Sequence, residues 1–245
     1  MKLKEFMLRA SNIPFQLSRG RSLFLACWRR MAQDEFSHFY QKIHGYTYCC
    51  NTRLRALYDA LHTIEAQKVK GDVVECGTAR GGSAALMGLT LTSLGSERSL
   101  WLYDSFEGIP APTQNDPDLE IAQHYAGDFQ GELDQVQALF SQLKIEGRTE
   151  FVKGLFDETL PAAQVEQIAL LHIDGDWYDS IMITLESLYD RVSIGGVIQL
   201  DDYGYWEGAR KAVHDFMDRY GLDDPLVVVD YEGRQWIKSQ ERKVE

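Results

Sequence analysis

Short apolar runs alternate with amphipathic stretches along the chain from residue 71 onward. The apolar runs are DVVEC, SLWLYD, TEFVKG, IALLHID and SIGGVIQLDD, and each ends in a polar or glycine-rich turn. Apolar residues at helical spacing fill most of the intervals, over Gly82–Leu94, Glu132–Leu143, Asp179–Arg191 and Trp206–Tyr220. Strands that alternate with helices predict a mostly parallel sheet with both faces covered, as in the Rossmann-like α/β class.

Both ends of the chain depart from this alternation. Residues 1 to about 70 are predicted to be helical, and the stretch Asn51–Lys68 places Leu54, Leu57, Leu61 and Ile64 at helical spacing. Near the other end, LVVVD and RQWIK flank a turn at residues 231–233, which predicts an antiparallel hairpin. The expected organisation is therefore a helical extension over residues 1–70, serving as lid or oligomer contact, and one α/β domain over residues 71–245.

A long segment over Ser105–Gln130 interrupts the alternation. It contains three of the six prolines and several acidic residues. Loops of this length inside a compact domain are usually functional or disordered. We expect this segment to form a lid beside a site at the carboxyl ends of the strands.

The charge of the chain is acidic but unevenly spread. The formal net charge of −12 argues against a general nucleic-acid binder, which needs a basic face to displace counterions. Residues 1–30 nevertheless hold seven Lys or Arg residues and one Glu. This basic segment has two interpretations: an arm for an anionic partner or membrane surface, or a helical extension that packs on its own acidic body. We favour the second.

The cysteines and the apolar segments indicate a cytoplasmic protein without membrane insertion. The four cysteines form no C-x-x-C pair, so neither a disulfide framework nor a zinc knuckle is indicated, and reduced thiols are expected. The apolar stretch Leu23–Trp28 is too short to span a bilayer, and no small-residue cleavage pattern follows it.

A glycine-rich loop follows the first predicted strand, with the sequence ECGTARGGS over residues 75–83. Its G-x-x-x-G-G pattern differs from the G-x-G-x-x-G fingerprint of dinucleotide-binding folds. Gly77 and Gly82 have the spacing of a nucleotide-binding P-loop, but Ser83 stands where that motif has lysine. The third candidate ligand is S-adenosylmethionine, which has no phosphate and needs neither feature.

The chemistry of S-adenosylmethionine suits the ends of the first two strands. The Glu75 carboxylate suits the ammonium group, directly or through water. Backbone N–H groups of the following loop suit the carboxylate, and this loop includes Gly77, Thr78, Gly81 and Ser83. Asp104 ends the second strand and is placed to accept both ribose hydroxyls, as an acidic residue does in dinucleotide folds. A tight strand-to-helix turn without a ligand is the alternative explanation of the glycine loop alone.

Carboxylates follow two further strands at the point where each strand ends. Asp174 ends one strand, and Asp201 and Asp202 end the next. Adjacent parallel strands bring these carboxylates to one edge of the sheet, where they suit a hard divalent cation, most often Mg²⁺. Asp176 is the candidate general base beside that cation. Asp179 is expected to cap the helix that follows.

Five motifs, taken in order, resemble the macrocin O-methyltransferase family, whose members methylate sugar hydroxyls on macrolide and aminocoumarin antibiotics. The motifs are VVECGTARGGSA, LYDSFEGIP, GLFDETLP, LLHIDGDWYDS and GGVIQLDDYG. The resemblance covers residues 71–220 well and the N-terminal helices loosely. DSFEGIP and the pair IDGDWYDS and LDDY are specific to the family, whereas the glycine loop is not.

The resemblance implies a class I methyltransferase fold and an Mg²⁺-dependent transfer of a methyl group from S-adenosylmethionine to a hydroxyl oxygen. It implies metal ligation by Asp174, Asp201 and Asp202, with Asp176 as the general base. It also implies a cofactor pocket lined by Glu75, Gly77, Asp104, Ser105, Asp174 and the turn Gly154–Asp157, which contains Phe156. Family members form homo-oligomers through their N-terminal regions.

The expected acceptor is a hydroxylated small molecule, a sugar or a glycosylated natural product, whose neighbouring oxygens chelate the metal. Two other classes of function stay open from the sequence. One is an NAD-dependent oxidoreductase or a metal-dependent hydrolase on a similar sheet, which the glycine loop disfavours. The other is a non-catalytic module that binds S-adenosylmethionine, which the intact set of carboxylates disfavours.

Overall fold

A computed structural model of the protein describes residues 35–243. The basic segment over residues 1–30 and Cys27 lie outside the described residues. The chain divides into two compact units, Met1–Gln41 and Lys42–Glu245. The described part of the first unit, residues 35–41, is helical. The second unit contains the sheet, the helix over Asn51–Gln67 and every feature discussed below.

Helices and strands alternate along the described residues. The helices are α1 over 35–43, α2 Asn51–Gln67, α3 Gly82–Leu94, α4 Leu119–Ala122, α5 Leu133–Leu143, α6 Phe156–Thr159, α7 Tyr178–Leu188 and α8 Glu207–Tyr220. The strands are β1 Asp72–Cys76, β2 Leu100–Asp104, β3 Thr149–Lys153, β4 Ile168–Ile173, β5 Val192–Leu200, β6 Val227–Val228 and β7 Arg234–Ile237. Short 3₁₀ turns follow α1, α4 and α7 and precede β3.

The strands form one sheet in the order β3-β2-β1-β4-β5-β7-β6. The first five strands are parallel, and β7 pairs antiparallel with both β5 and β6. The predicted α/β class with an antiparallel C-terminal hairpin is therefore confirmed. The strand order reverses between β1 and β4, and ligands of open α/β sheets bind outside the carboxyl ends of the strands at such a point.

The central strands are buried on both faces because helices cover both sides of the sheet. All six residues of β4 are buried, which explains why its sequence is a continuous apolar run instead of an alternating one. On one face, β4 and β5 pack against α7 and α8 through Leu171, Ile181, Leu185 and Phe216. On the described part of the chain, no helix is long and apolar enough to cross a membrane.

Backbone hydrogen bonds continue past the strand ends and hold the following residues in register. Gly77 N donates to Tyr103 O at 2.9 Å, Asp174 N to Cys76 O at 2.8 Å, and Asp201 N to Ile173 O at 3.0 Å. The residues that follow β1, β4 and β5 therefore meet at one edge of the sheet.

Candidate active site

A cavity of about 780 Å³ lies at the carboxyl ends of the parallel strands. It is lined at or just beyond the carboxyl end of each of the five parallel strands, by residues that include Gly77, Asp104, Gly154, Asp174 and Asp201. The long segment over 105–130 covers it with Ile109, Pro110 and Phe129. Its size suits a drug-sized ligand, since such sites typically occupy about 300–1,000 Å³.

The loop after β1 approaches the loop after β4 so closely that only glycine fits. A Cβ atom at Gly77, where φ is +93°, would lie 1.7 Å from the carbonyl oxygen of Asp174. Any side chain at this position would therefore push the two strand ends apart. The contact between the two loops therefore requires glycine at position 77 independently of any ligand.

Asp104 joins the glycine loop to the end of β2. Its Oδ2 accepts hydrogen bonds from the backbone N–H groups of Thr78, at 2.6 Å, and Ala79, at 2.9 Å. Its Oδ1 accepts one from the N–H of Phe106 at 2.6 Å. The carboxylate was expected to bind ribose hydroxyls, and in the structure it lines the cavity while it also organises the loops on both sides.

Four residues other than glycine adopt positive φ in or beside the loops that line the cavity. They are Ala79 at 43°, Phe106 at 55°, Phe129 at 57° and Asp176 at 57°. Such conformations cost free energy and tend to collect at functional sites. Each of these residues lines the cavity or is next in sequence to a residue that does. The strained backbone positions are therefore concentrated around the cavity.

Glu75 lies beneath the cavity and is not among the residues that line it. Its side chain is fully buried, and Oε1 lies 2.9 Å from Nδ1 of His172 while Oε2 has no hydrogen-bond partner. The Nε2 atom of His172 lies 3.6 Å from Oδ1 of Asp201. Burial lowers the pKa of His172, but the neighbouring carboxylates of Asp201 and Glu75 outweigh this effect and raise the pKa to about 9. His172 lies between the two carboxylates, within ion-pair distance of both.

The other residues expected to bind the cofactor divide into two groups. Seven of them line the cavity, namely Gly77, Asp104, Ser105, Gly154, Phe156, Asp157 and Asp174. Thr78, Gly81 and Ser83 do not line it, although they belong to the same loop. Thr78 contributes its N–H to Asp104, and its hydroxyl is buried without a partner.

The carboxylates after β4 and β5 converge on the cavity. Asp174, Asp176 and Asp202 each offer a carboxylate oxygen, and these oxygens lie within 4.8 Å of one another. Asp202 Oδ2 accepts a hydrogen bond of 3.0 Å from the N–H of Asp176, which ties the two loops together. We call Asp174, Asp176 and Asp202 the acidic cluster. Asp201 borders the same cavity, but it is paired with Arg53 through a contact of 2.5 Å from Nη1 to Oδ2.

Burial and mutual repulsion raise the pKa values of the carboxyl groups in the acidic cluster. Burial, followed by the charges of Asp201 and Asp202, raises the pKa of Asp174 well above its usual range. Burial and the charge of Asp202 do the same for Asp176. Burial and the charge of Asp201 raise the pKa of Asp202 to about 7. Such a cluster is unfavourable when ionised unless a cation joins it.

Asp179 does not cap the helix that follows, contrary to the expectation from the sequence. Helix α7 begins at Tyr178, so Asp179 lies inside the first turn, where its carboxylate accepts hydrogen bonds from Thr113 Oγ1 and Asn115 Nδ2. Asp116 fills the capping role from the lid segment, because its Oδ1 accepts the N–H of Tyr178 at 2.8 Å. A residue 62 positions away in sequence thus satisfies the helix end.

Five aromatic side chains, which we call the aromatic wall, also line the cavity, and sequence reasoning missed most of them. The wall consists of Tyr48, Tyr125, Phe129, Tyr205 and Trp206. Neighbouring rings touch, with centroid distances of 4.7 Å for Tyr48 to Phe129 and 4.8 Å for Tyr205 to Trp206. Tyr48 and Tyr205 are about half exposed and line the cavity, so part of each ring is accessible to a ligand. No spacing rule connects these positions, because they come from three separate loops.

The sequence of the chain matches a known protein family. Residues 2–238 match the family described as Macrocin-O-methyltransferase (TylF). The chain belongs to the macrocin O-methyltransferase family. The predicted resemblance is thereby confirmed, and the chain is an O-methyltransferase with a class I methyltransferase fold.

Relatives and a solved structure agree with this assignment. The chain is 38% identical over 189 residues to the 8-demethyl-8-(2,3-dimethoxy-alpha-L-rhamnosyl)-tetracenomycin-C 4'-O-methyltransferase of Streptomyces olivaceus, covering 75% of this chain and 72% of that one. It is 35% identical over 194 residues to the mycinamicin III 3''-O-methyltransferase of Micromonospora griseorubida, covering 76% of each. The O-methyltransferase NovP superposes with a TM-score of 0.74 at 29% identity, covering 80% of this chain and 83% of that one.

Proposed function

We propose that this macrocin O-methyltransferase family member transfers a methyl group from S-adenosylmethionine to a sugar hydroxyl of a glycosylated natural product, and that Mg²⁺ is required. The observation that carries the proposal is the placement of the acidic cluster in a cavity whose opposite half is formed by the glycine loop and Asp104. A methyl donor and a chelating acceptor fit these two halves. The name of the relative from Streptomyces olivaceus describes a rhamnosyl-bearing acceptor, which supports the same class of acceptor.

The methyl donor is assigned to the half of the cavity formed by the loops after β1, β2 and β3. Asp104, Ser105 and the turn Gly154–Asp157 border it. The carboxylate of Asp104 is held in place by three backbone N–H groups, so it offers its remaining lone pairs to a ribose diol in a fixed orientation. Glu75 is assigned an indirect role, because it lies below the cavity surface and is bonded to His172.

The acidic cluster and Asp201 fit a hard divalent cation. The donors are all carboxylate oxygens, which Mg²⁺ prefers, and burial together with the neighbouring charges raises the pKa values of Asp174 and Asp202. We assign Asp174, Asp201 and Asp202 as the residues that would hold the ion, with Asp176 beside them. A bound divalent cation supplies positive charge that lowers the pKa of an acceptor hydroxyl.

Asp176 is assigned the proton transfer. Its Oδ1 accepts a hydrogen bond from Nε1 of Trp206 at 3.1 Å, which fixes the carboxylate and leaves Oδ2 for a proton. The raised pKa of Asp176 makes it a stronger base than an ordinary carboxylate. When bound, S-adenosylmethionine would supply the methyl group to the acceptor oxygen and keep the C–S electron pair on sulfur, and Asp176 would take the hydroxyl proton.

The lid segment and the aromatic wall exclude water and receive the rest of the acceptor. Trp177 is 2% exposed and donates its Nε1–H to the carbonyl of Pro110 at 2.7 Å, which fastens the lid beside the acidic cluster. The half-exposed rings of Tyr48 and Tyr205 offer flat apolar surface next to the site. Sugar rings and apolar aglycones both pack on such surfaces.

Calorimetric titration tests the proposal. S-adenosylhomocysteine and NADH are titrated separately into the full chain, each with and without Mg²⁺. We expect S-adenosylhomocysteine to bind and NADH not to bind, after which glycosylated acceptors are screened for methylation. NADH binding would favour the oxidoreductase alternative, and binding of neither ligand would contradict the methyl-donor assignment.

The remaining assignments are a cytoplasmic location and a homo-oligomer held through the N-terminal region. They rest on the composition of the chain and on the family resemblance. Light scattering of the full chain at two protein concentrations tests the second, and a mass equal to 28.0 kDa at both would contradict it.

A further inference from the structure

Arg53 occupies a position where the sequence pattern calls for an apolar residue. It lies on the face of α2 that also carries Leu57, Leu61 and Ile64, and it is 7% exposed. A buried guanidinium is unfavourable unless charged partners surround it. The partners of Arg53 lie next to the candidate metal site, which gives this residue a significance beyond the packing of the helix.

Three carboxylates surround the guanidinium group of Arg53. Nη1 contacts Asp201 Oδ2 at 2.5 Å, Nη2 contacts Glu232 Oε2 at 2.5 Å, and Nε lies 3.3 Å from Asp230 Oδ2. Nη1 also donates to the backbone carbonyl of Asp201 at 3.1 Å. Arg53 therefore fixes both the main chain and the side chain of Asp201. The other oxygen of Asp201, Oδ1, keeps longer contacts of 3.4 Å to Cys49 Sγ and 3.6 Å to His172 Nε2.

The turn between β6 and β7 supplies the other two carboxylates and packs on the loop that follows β5. The N–H of Gly204 donates to the carbonyl of Glu232 at 2.8 Å. A Cβ atom at Gly204 would lie 1.9 Å from the carbonyl oxygen of Tyr231, so the two backbones are in direct contact. Asp230 Oδ1 accepts the N–H groups of Glu232 and Gly233, which gives this turn a defined shape.

We propose that Arg53 and the hairpin turn Asp230–Gly233 form a clamp that positions Asp201 and Asp202 for divalent-cation binding. Arg53 holds Oδ2 and the carbonyl of Asp201, while the turn holds the backbone two residues beyond Asp202. The clamp holds the Asp201 carboxylate in one orientation for metal binding. Groups that hydrogen-bond to metal ligands commonly have this orienting role. The inference rests on the proposed Mg²⁺ requirement, and it makes α2 and the C-terminal hairpin parts of the active site.

The sign of a change in metal affinity separates positioning from simple charge. Arg53 is a cation beside the site, so loss of its charge alone would strengthen Mg²⁺ binding through reduced repulsion. Loss of positioning would weaken binding, and removal of partners that orient metal ligands typically costs about 10–100-fold in affinity. The two effects act in opposite directions, so one titration distinguishes them.

The experiment is a calorimetric titration of Mg²⁺ into the full chain saturated with S-adenosylhomocysteine. The variants are Arg53→Met, Arg53→Lys and Glu232→Gln. We expect Arg53→Met to weaken Mg²⁺ binding by about 10–100-fold and Arg53→Lys, which keeps the charge but loses the fork, to weaken it by about 10-fold. Affinity for S-adenosylhomocysteine without Mg²⁺ should stay unchanged.

Arg98 provides the matched control. It is also a largely buried arginine, with Nε 2.7 Å from Glu65 Oε1 and further bonds to the carbonyls of Val69 and Gly71, but it does not line the cavity. Arg98→Met should lower the melting temperature without altering Mg²⁺ affinity. A drop in Mg²⁺ affinity for Arg98→Met equal to that for Arg53→Met would show a general structural effect and overturn the inference.

The remaining outcomes are equally decisive. Mg²⁺ binding by Arg53→Met that equals or exceeds the wild-type affinity overturns the clamp while the proposed function stands. If Arg53→Met does not fold, Arg53→Lys and Glu232→Gln decide, and wild-type affinity in both overturns it. Failure of the wild-type chain to bind Mg²⁺ with S-adenosylhomocysteine present contradicts the metal requirement itself and removes the basis of the clamp.

Discussion

The Oδ2 atom of Asp104 accepts a hydrogen bond of 2.6 Å from the backbone N–H of Thr78, across the ends of β2 and β1. The same oxygen accepts the N–H of Ala79, and the other oxygen accepts the N–H of Phe106. One carboxylate thus sets the conformation of two loops, each of which contains a residue at positive φ. The shape of the donor half of the cavity depends on this single side chain.

Replacement of Asp104 by Asn should therefore damage both stability and ligand binding. An amide can accept at only one of the two positions, so its NH₂ group must face a backbone N–H donor on the other side. Hydrogen bonds to charged groups contribute about 1.5–3 kcal/mol each, and we expect a loss of at least about 2 kcal/mol in the free energy of unfolding. S-adenosylhomocysteine affinity should fall at least tenfold by calorimetry. Asp59→Asn, on the exposed side of α2, is the control, and equal affinities of Asp104→Asn and the wild-type chain would refute the assignment.

Asp202→Asn should weaken Mg²⁺ binding while it preserves the loop structure. The side-chain carbonyl oxygen of Asn can still accept the hydrogen bond that the N–H of Asp176 donates to Asp202 Oδ2. The substitution therefore removes the charge but keeps the volume and this hydrogen bond. We expect Mg²⁺ affinity to fall at least about tenfold and S-adenosylhomocysteine affinity without Mg²⁺ to stay within a few-fold. Asp201→Asn should show the same pattern. Loss of S-adenosylhomocysteine binding in either variant would mean that the metal site has been assigned to the wrong residues.

Much of the fold follows from periodicity, since buried parallel strands and amphipathic helices carry strong patterns. Helix α3 begins and ends at the predicted residues, Gly82 and Leu94. The predicted strand LVVVD is reduced to the pair Val227–Val228, both exposed, because it lies at the edge of the sheet where packing does not extend it. The order of the strands was not predicted, but the neighbourhood of β4 and β5 was, and this placed Asp174 beside Asp201 and Asp202.

Metal-free protein should lose stability as the pH rises towards neutrality. Burial and the charge of Asp201 raise the pKa of Asp202 to about 7, so the folded state binds a proton that the unfolded state releases at its ordinary, lower pKa. Stability from this proton is present at low pH and is lost between about pH 4 and pH 7. Thermal denaturation with a chelator should show this decline, and Asp202→Asn should reduce it. His172 contributes separately to the stability of the fold, since its stabilising charge is lost as the pH rises through about 9.

The same shift predicts proton release on metal binding. Ligating carboxylates must be ionised, so Mg²⁺ should displace protons from the acidic cluster at pH values below about 7. Calorimetry at about pH 6 in buffers of different ionisation enthalpy measures the number of protons released. We expect release near pH 6, less release near pH 8, and an apparent Mg²⁺ affinity that rises between them. Equal heats in all buffers at the lower pH would contradict the raised pKa values.

The parts of the site that sequence analysis missed depend on contacts between distant segments. Arg53 carried a weak signal, because a charged residue on the apolar face of a helix is unusual. Asp116 carried none, since its role as a cap for α7 arises from the path of a loop. The expected cap at Asp179 was wrong for the same reason: the helix begins one residue before it, and the lid supplies the acceptor.

The lid should open when its anchor is removed. Asp116 is 3% exposed and accepts the N–H groups of Tyr178 and Thr113, while Asp118 accepts the N–H of Glu207 at the start of α8. Asp116→Ala should raise the acceptor KM by several-fold with little effect on S-adenosylhomocysteine affinity, and should speed proteolytic cleavage within 105–130. Asp128→Asn, an exposed position in the same segment, is the control. An unchanged cleavage rate for Asp116→Ala would show that other contacts hold the lid.

Asp176→Asn separates a base from a metal ligand. A general base typically contributes about 10²–10⁴-fold to the rate, and we expect kcat to fall by that factor while Mg²⁺ affinity changes little. The Asn side chain can still accept the hydrogen bond from Trp206 Nε1, so the positive φ loop should keep its conformation. Because the carboxylate of Asp176 lies within 4.8 Å of those of Asp174 and Asp202, a ligand role is the competing assignment. A Mg²⁺ affinity that falls as far as in Asp202→Asn would establish that role instead, and full activity of Asp176→Asn would assign the proton to another group.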